Sequence, residues 1–262
     1  MLKEISYQAR LIIKRYLNPA TYILDFACAD LAGRFQPGQF MEIDCGGYIC
    51  RPFALMQQDE ERGIIRVGVQ IVGESSRRLA SLPLNSLVKL IGPLGNGFEL
   101  APYKRVIAIG GSSGIFPLYA ALESIEEAGG ETALICGFGS VEQAYPRETF
   151  EELSGPCYYS SDTGGLDFTG HAGDCLERYF GDLEADPNLL LLACGPRPLL
   201  AYVQKFAAVR QIDCQLSLET YMACGLGLCT GCAVDILGKD GQVERLRCCV
   251  DGPCFDSQQV IF

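Results

Sequence analysis

Basic residues are scarce in this chain: 21 lysines and arginines stand against 32 aspartates and glutamates, leaving a net charge of −11 over 262 residues. A nucleic-acid face needs clustered Lys and Arg, and the notable basic doublet of the first half, Arg77-Arg78, reads as a solvated pair; nucleic acid is excluded as a partner. Histidine is scarcer still. His171 is the only one, and in a loop after Thr169-Gly170 it reads as a hydrogen-bonded structural or surface residue. With no Ser-His-Asp set and no paired carboxylates in a recognisable frame, hydrolysis has no machinery, which suits an enzyme whose cofactors carry the chemistry. No apolar run approaches a membrane span, and the start, with Lys3 and Glu4 before a mixed strand-like segment, lacks the shape of a signal peptide. A cytoplasmic location without membrane contact is expected.

Cysteine, by contrast, is abundant, at 14 residues. A disulfide framework belongs to small secreted chains, so these thiols are expected to be reduced, and Cys28, Cys45, Cys136, Cys157, Cys175 and Cys214 read as core filler. One group stands apart. Cys224-Gly-Leu-Gly-Leu-Cys229-Thr-Gly-Cys232 has the C-x4-C-x2-C spacing of a plant-type 2Fe–2S cluster, which takes a fourth thiolate from further along. Gly225, Gly227 and Gly231 allow positive φ and let amides point at the cluster sulfurs. Structural zinc usually takes two C-x2-C-like pairs, and only Cys229 and Cys232 form one here. Spacing leaves the fourth ligand open among Cys248, Cys249 and Cys254.

From residue 5 to about 100, short apolar runs (Tyr7 to Ile13, Thr21 to Phe26, Phe40 to Ile43, Ile64 to Val72, Val88 to Ile91) alternate with turn signals, the pattern of an antiparallel β-barrel. Within it, Gly73-Glu74-Ser75-Ser76 opens a predicted helix and offers amides and hydroxyls to an anion, while Arg51, held by Pro52, could pair with the same phosphate. Together they make a flavin nucleotide plausible. Near Ala101 the texture changes. Strands Arg105 to Gly110, Thr132 to Phe138, Cys157 to Ser161 and Leu189 to Cys194 alternate with helices Phe116 to Ala128, Arg147 to Leu153, Gly173 to Tyr179 and Pro198 to Val209, predicting a doubly wound parallel sheet. Its turn Gly110-Gly111-Ser112-Ser113-Gly114 lies where such sheets bind dinucleotides, and Ala193-Cys194-Gly195-Pro196 approaches the same crevice.

Assembled, these residues resemble the ferredoxin–NADP reductase superfamily, and more closely the electron-transfer subunit of NAD-dependent dihydroorotate dehydrogenase. The resemblance spans essentially the whole chain and is carried by Pro37-Gly-Gln-Phe40, Ile91-Gly-Pro-Leu-Gly-Asn-Gly-Phe98, Met222-Ala-Cys-Gly225 and Asp251-Gly-Pro253. It implies an FAD-binding β-barrel over residues 1–100, an NAD-binding α/β region over 101–212 and a 2Fe–2S region over 213–262. Arg51, Pro52, Phe53 and Ala54 match the flavin-binding strand end, Gly68, Val69 and Gln70 the segment beside the isoalloxazine, and Ser75 and Ser76 the pyrophosphate turn. Gly110, Gly111, Gly114, Cys194 and Gly195 fall in the nicotinamide-nucleotide crevice. Cys224, Cys229 and Cys232 match three cluster ligands, and the family's Cys-x-Asp-Gly-Pro selects Cys249 as the fourth. Three positions depart from the family. Ala54 stands where Ser or Thr is usual, removing a hydrogen bond worth about 1 kcal/mol; Ser112-Ser113 replaces Gly-Ile, and Gly139 a longer polar residue. The loop with Ser140 and Glu142 has no basic cluster for a 2′-phosphate, favouring NADH over NADPH.

The function so implied is transfer of electrons from the FMN of a catalytic dihydroorotate dehydrogenase subunit, through the cluster and FAD, to NAD+ in pyrimidine (UMP) biosynthesis. The expected partner is that subunit, in a heterotetramer with two copies of each, and this chain alone should not oxidise dihydroorotate. Two other readings stand beside it: a related ferredoxin:NAD(P)H oxidoreductase subunit, and, from a different class, a zinc-stabilised binding module.

Overall fold

The computed structural model describes residues 5–238 and 240–262. The start containing Lys3 and Glu4 lies outside them. The first half is a seven-stranded antiparallel sheet: β1 (Ser6–Asn18), β2 (Thr21–Ala27), β3 (Phe40–Ile43), β4 (Arg51–Ala54), β5 (Gln57–Asp59), β6 (Ile64–Gln70) and β7 (Leu87–Leu94), in the order β4-β3-β7-β1-β2-β6-β5. β4, at one edge, comes back against β6 near the other, so the sheet curls towards a barrel. The period of two is visible in β6, where Ile65, Val67 and Val69 are fully buried and the residues between them are not. Helix α1 (Glu74–Ser81) crosses between β6 and β7.

The second sheet is built from β8 (Arg105–Gly111), β9 (Glu131–Phe138), β10 (Cys157–Ser161), β11 (Phe168–Thr169), β12 (Leu189–Cys194) and β13 (Asp213–Ser217), all parallel, in the order β11-β10-β9-β8-β12-β13. Successive residues of one strand serve opposite faces. Val106, Ala108, Leu190 and Leu192 pack under α2 (Phe116–Glu127), while Ile107, Ile109, Leu189 and Leu191 pack under α3 (Ala172–Phe180) and α4 (Arg197–Arg210). That two-sided burial explains why these strands read as unbroken apolar runs. The helix expected over Arg147 to Leu153 does not form. Only a 3-10 turn, Arg147–Thr149, is present, because Phe150 is drawn into the core beside Tyr119 and Gly155-Pro156 soon follows.

After β13 the chain leaves the sheet through residues 218–232, makes the hairpin β14 (Ala233–Leu237) and β15 (Val243–Arg247), and returns as β16 (Cys254–Asp256), which pairs antiparallel with β13. The parallel sheet therefore continues past residue 212 and is edged by β16. On its way back, the Gly252 carbonyl accepts the Asn96 N–H and the Pro253 carbonyl accepts the Leu218 N–H, tying the C-terminal region to both sheets. Among the described residues no helix is long and apolar enough to cross a membrane.

Candidate functional site: two cavities and a cysteine loop

β4 and β6 bring Pro52, Phe53, Ala54, Gly68 and Gln70 to one wall of a cavity of about 400 Å3 between the two sheets; Phe116, Cys194 and Glu219 face them. Val69 sends its side chain into the barrel core, as alternation along β6 requires. Gly68 is needed for packing, since a Cβ there would fall 2.1 Å from the Phe116 ring. At the end of β4, the half-buried Arg51 donates from Nε to Ser75 Oγ at 3.2 Å. A guanidinium, a hydroxyl and the amino end of α1 thus gather at one place, a donor set matched to a pyrophosphate. With a largely apolar cavity beside it, the site fits FAD.

Ser76 does something different from Ser75. Its Oγ accepts the N–H groups of Val72 (3.1 Å) and Gly73 (3.2 Å) and donates to the Gly73 carbonyl (3.1 Å). Its hydroxyl is thereby committed to holding the start of α1. Ser76→Ala is expected to lower stability by about 1 kcal/mol, read as a lower Tm, whereas Ser75→Ala should weaken flavin retention with little change in Tm.

The glycine turn and the turn after β12 nest against each other. A Cβ on Gly110 would lie 2.6 Å from Ile115 Cα, on Gly114 2.4 Å from the Cys194 carbonyl oxygen, and on Gly111 2.8 Å from Pro196 Cδ. Gly195, at φ +146°, backs onto the Gly111 amide. These glycines are spent on close approach of two backbones. The serines between them face the cavities: Ser113 lines the flavin cavity, and Ser112, at φ +53°, lines with Gly111 a second cavity of about 430 Å3 over the ends of β8, β9 and β10. Burial pushes the Cys194 thiol far above its ordinary range, despite an opposing hydrogen bond with Ser217. It is a packed wall residue with no thiolate character.

In the loop after β13, Gly225 and Gly227 adopt φ of +63° and +78°; at the third position of this kind Thr230, not Gly231, takes positive φ, at +54°. The resulting turns aim amides inward. Cys224 Sγ accepts the N–H groups of Leu226 and Cys229, both at 3.4 Å, and Cys249 Sγ accepts that of Gly227 at 3.2 Å. Those amides bring the Cys224 thiol down to about 6, while burial, with a hydrogen bond to Cys232, pushes Cys249 up to about 12. Cys224 thus meets Cys229, and Cys249 meets Cys232. The other two cysteines point elsewhere: Cys248 is fully buried in the core, and Cys254 Sγ donates to the Gly38 carbonyl at 3.7 Å. Among the described residues, no three Cys, His, Asp or Glu side chains are drawn in tightly enough to chelate a single ion. Four cysteines in a ring of inward amides have the donor chemistry of an iron–sulfur cluster.

Sequence reasoning overlooked Glu42. It is buried in β3 with no hydrogen-bond partner on either carboxylate oxygen, directly under the cysteine loop, where a Cβ on Gly225 would fall 2.7 Å from its Cγ. Burial pushes its carboxyl up to about 7, against the pull of Arg51. The signal was a lone acid inside the apolar strand Phe40–Ile43. Met222, Pro253 and Thr220, which close the flavin cavity on the cluster side, were likewise not assigned to it.

The curled antiparallel sheet joined to a parallel nucleotide sheet is the ferredoxin-reductase architecture. Of the solved structures it resembles, the NADH-dependent reduced ferredoxin-NADP oxidoreductase superposes with a TM-score of 0.84 at 23% identity, over 100% of this chain and 91% of that one. The ferredoxin reductase of carbazole 1,9a-dioxygenase gives 0.70 at 17% identity, over 82% and 70%. Residues 219–261 match the iron-sulfur cluster binding domain of dihydroorotate dehydrogenase B. The electron transfer subunit of dihydroorotate dehydrogenase B (NAD(+)) from Caldanaerobacter subterraneus subsp. tengcongensis is 30% identical over 257 residues, 97% of this chain and 98% of that protein. Its counterpart from Fusobacterium nucleatum is 30% identical over 234 residues, 86% of each. This chain belongs to the family of dihydroorotate dehydrogenase B (NAD(+)) electron transfer subunits.

Proposed function

We propose that this chain is the electron-transfer subunit of a cytoplasmic dihydroorotate dehydrogenase, taking electrons from the FMN of a catalytic subunit and delivering them to NAD+ in pyrimidine synthesis. The supporting observation is adjacency: Thr220 and Met222 line the flavin cavity, and Cys224, the first cysteine of the loop, comes two residues later. When bound, a 2Fe–2S cluster accepts and releases single electrons and FAD exchanges pairs with NAD+, so the two together join a one-electron route to a two-electron acceptor. Cys224, Cys229, Cys232 and Cys249 would hold the cluster. Arg51 and Ser75 would hold the FAD pyrophosphate, Phe53, Ala54, Gly68 and Gln70 would border its ring system, and the Gly110–Gly114 turn with Gly195 would guide NAD+ to it.

The cysteine loop also carries an apolar exterior. Tyr221 and Leu228 are 96% and 81% exposed, with Leu226 and Val250 half-exposed beside them. Burial of such a patch is the expected contact with the catalytic subunit, arranged as two copies of each chain. Leu228→Asp should weaken that association at least about tenfold in sedimentation titrations, with iron and flavin content unchanged. The test of the function as a whole is reconstitution. NAD+ reduction by dihydroorotate should need both subunits, and this chain alone, flavin-loaded and with about two irons, should show none. A zinc-containing, colourless chain would overturn the proposal.

A further inference from the structure

Arg247 closes the turn that presents Cys249. It is the last residue of β15, and its carbonyl accepts the Asp251 N–H at 2.8 Å while its own N–H donates to Asp251 Oδ2, also at 2.8 Å. These two bonds shut the turn 247–251, with Cys249 at its centre. The Arg247 side chain then folds over the same turn: Nε lies 3.3 Å from Asp251 Oδ2, and Nη1 donates to the Gly227 carbonyl at 3.0 Å. Gly227 is the residue whose N–H donates to Cys249 Sγ. One side chain therefore fixes both partners of that bond, the sulfur through the turn and the amide through the Gly227 carbonyl.

The two ends of this bracket are closely fitted. Gly227, at φ +78°, takes a conformation that favours glycine, and a Cβ there would fall 2.6 Å from Val250 Cγ2 and 3.3 Å from Arg247 Nη1. At the other end the turn is anchored on the flavin side. Asn96 Nδ2 donates to the Asp251 carbonyl at 3.1 Å and the Asn96 N–H to the Gly252 carbonyl at 2.5 Å, and the next residue, Pro253, lines the flavin cavity. Two phrases picked out in the sequence, the one containing Asn96 and Asp251-Gly-Pro253, thus meet behind the cysteine loop. Arg245, the other arginine of β15, takes no part: its Nε is bonded to Asp235 Oδ1 in β14 at 2.9 Å.

We infer that Arg247 is a positioning residue for the iron–sulfur cluster: its guanidinium holds the Gly227 amide on the Cys249 sulfur, and that amide helps set the potential at which the cluster takes an electron. The inference rests on Cys249 being a cluster ligand. An N–H aimed at a ligand sulfur favours the more negative, reduced form, so keeping it in place raises the potential. Charge alone would act through the same two residues differently. As a cation Arg247 favours the reduced form and as an anion Asp251 opposes it, whereas in the bracket each is needed to hold the other. Removing Asp251 therefore separates the two effects by sign.

The test is an EPR-monitored redox titration of the full chain carrying its flavin and cluster, with iron counted and Tm recorded, so that nothing depends on turnover. Arg247→Ala should keep about two irons and lower the potential by the equivalent of about tenfold in the one-electron equilibrium, about 59 mV. Asp251→Ala should lower it too, and Asp251→Asn, whose side-chain oxygen still accepts from Arg247, should restore most of it. Arg247→Lys keeps the charge but lacks the planar fork, and should recover the potential only part-way. Arg245→Ala, which removes a charge from the same strand without touching the turn, should leave it unchanged. A rise in potential in Asp251→Ala, or full recovery in Arg247→Lys, would show an effect of charge and overturns the inference. So do unaltered potentials in Arg247→Ala and Asp251→Ala alike. If the alanine variants lose their iron, Arg247→Lys decides: a lowered potential with the charge retained supports positioning, and an unaltered one overturns it. An unaltered chain with neither iron nor a rhombic signal after dithionite removes the cluster reading itself, and the inference with it.

Discussion

In the Cys249→Ala variant, iron per chain is expected to fall from about two to near zero, with loss of the rhombic EPR signal after dithionite. Cys248→Ala should keep both. The two residues are neighbours, but they face different surroundings. Cys249 Sγ sits under the Gly227 amide and against Cys232, inside the ring that includes Cys224. Cys248 is fully buried and packed into the core behind the loop. Backbone amides are aimed at the sulfurs of Cys224 and Cys249, as cluster sulfurs require, and none is aimed at that of Cys248 among the described contacts. Flavin should remain in both variants, because Arg51 and Ser75 lie on the barrel. Iron retained in Cys249→Ala but lost in Cys248→Ala would sink this ligand set.

Arg51→Ala is expected to have the converse effect, with iron kept and FAD affinity lowered about 30- to 100-fold, measured as flavin fluorescence released on dilution. The magnitude follows from a charge-assisted contact to phosphate in a half-buried position. Arg51→Lys should recover only part of it, since an ammonium cannot reproduce the planar fork and would lose the directed Nε bond to Ser75. Glu42 sharpens the expectation: the Arg51 guanidinium opposes the rise of that carboxyl. Removing it leaves the acid under the cluster loop more strongly biased towards its neutral form. Unchanged flavin retention in Arg51→Ala would mean that the helix amides and Ser75 suffice alone.

Much of this architecture was legible because the chain's periodicities are clean. Runs buried on both faces marked the parallel strands, and turn signals marked the curled sheet. The C-x4-C-x2-C spacing marked the loop because cluster ligation constrains neighbours in sequence. The features that were missed depend on contacts remote in sequence. Helical periodicity over Arg147 to Leu153 was real as a pattern, but Phe150 is claimed by the core beside Tyr119, and Gly155-Pro156 soon follows. The glycines of the turn were read for ligand approach, yet their space is taken by Ile115, Cys194 and Pro196. A lone histidine gave no sign of Asp162, nine residues away, because only the return of the chain through β11 brings them together.

The placement of β16 has a consequence for how the protein comes into being. This strand edges the nucleotide sheet, and every cysteine of the cluster loop precedes it in the chain. During synthesis, β13 is made while its outer neighbour does not yet exist, leaving an unpaired strand edge next to the cysteine loop. Cys254–Asp256 can cover that edge only after the segment 224–249 has emerged and looped back. Completion of the nucleotide fold thereby waits on synthesis of the whole cysteine loop, and a nascent chain stalled inside the loop would carry a sticky sheet together with unprotected thiols.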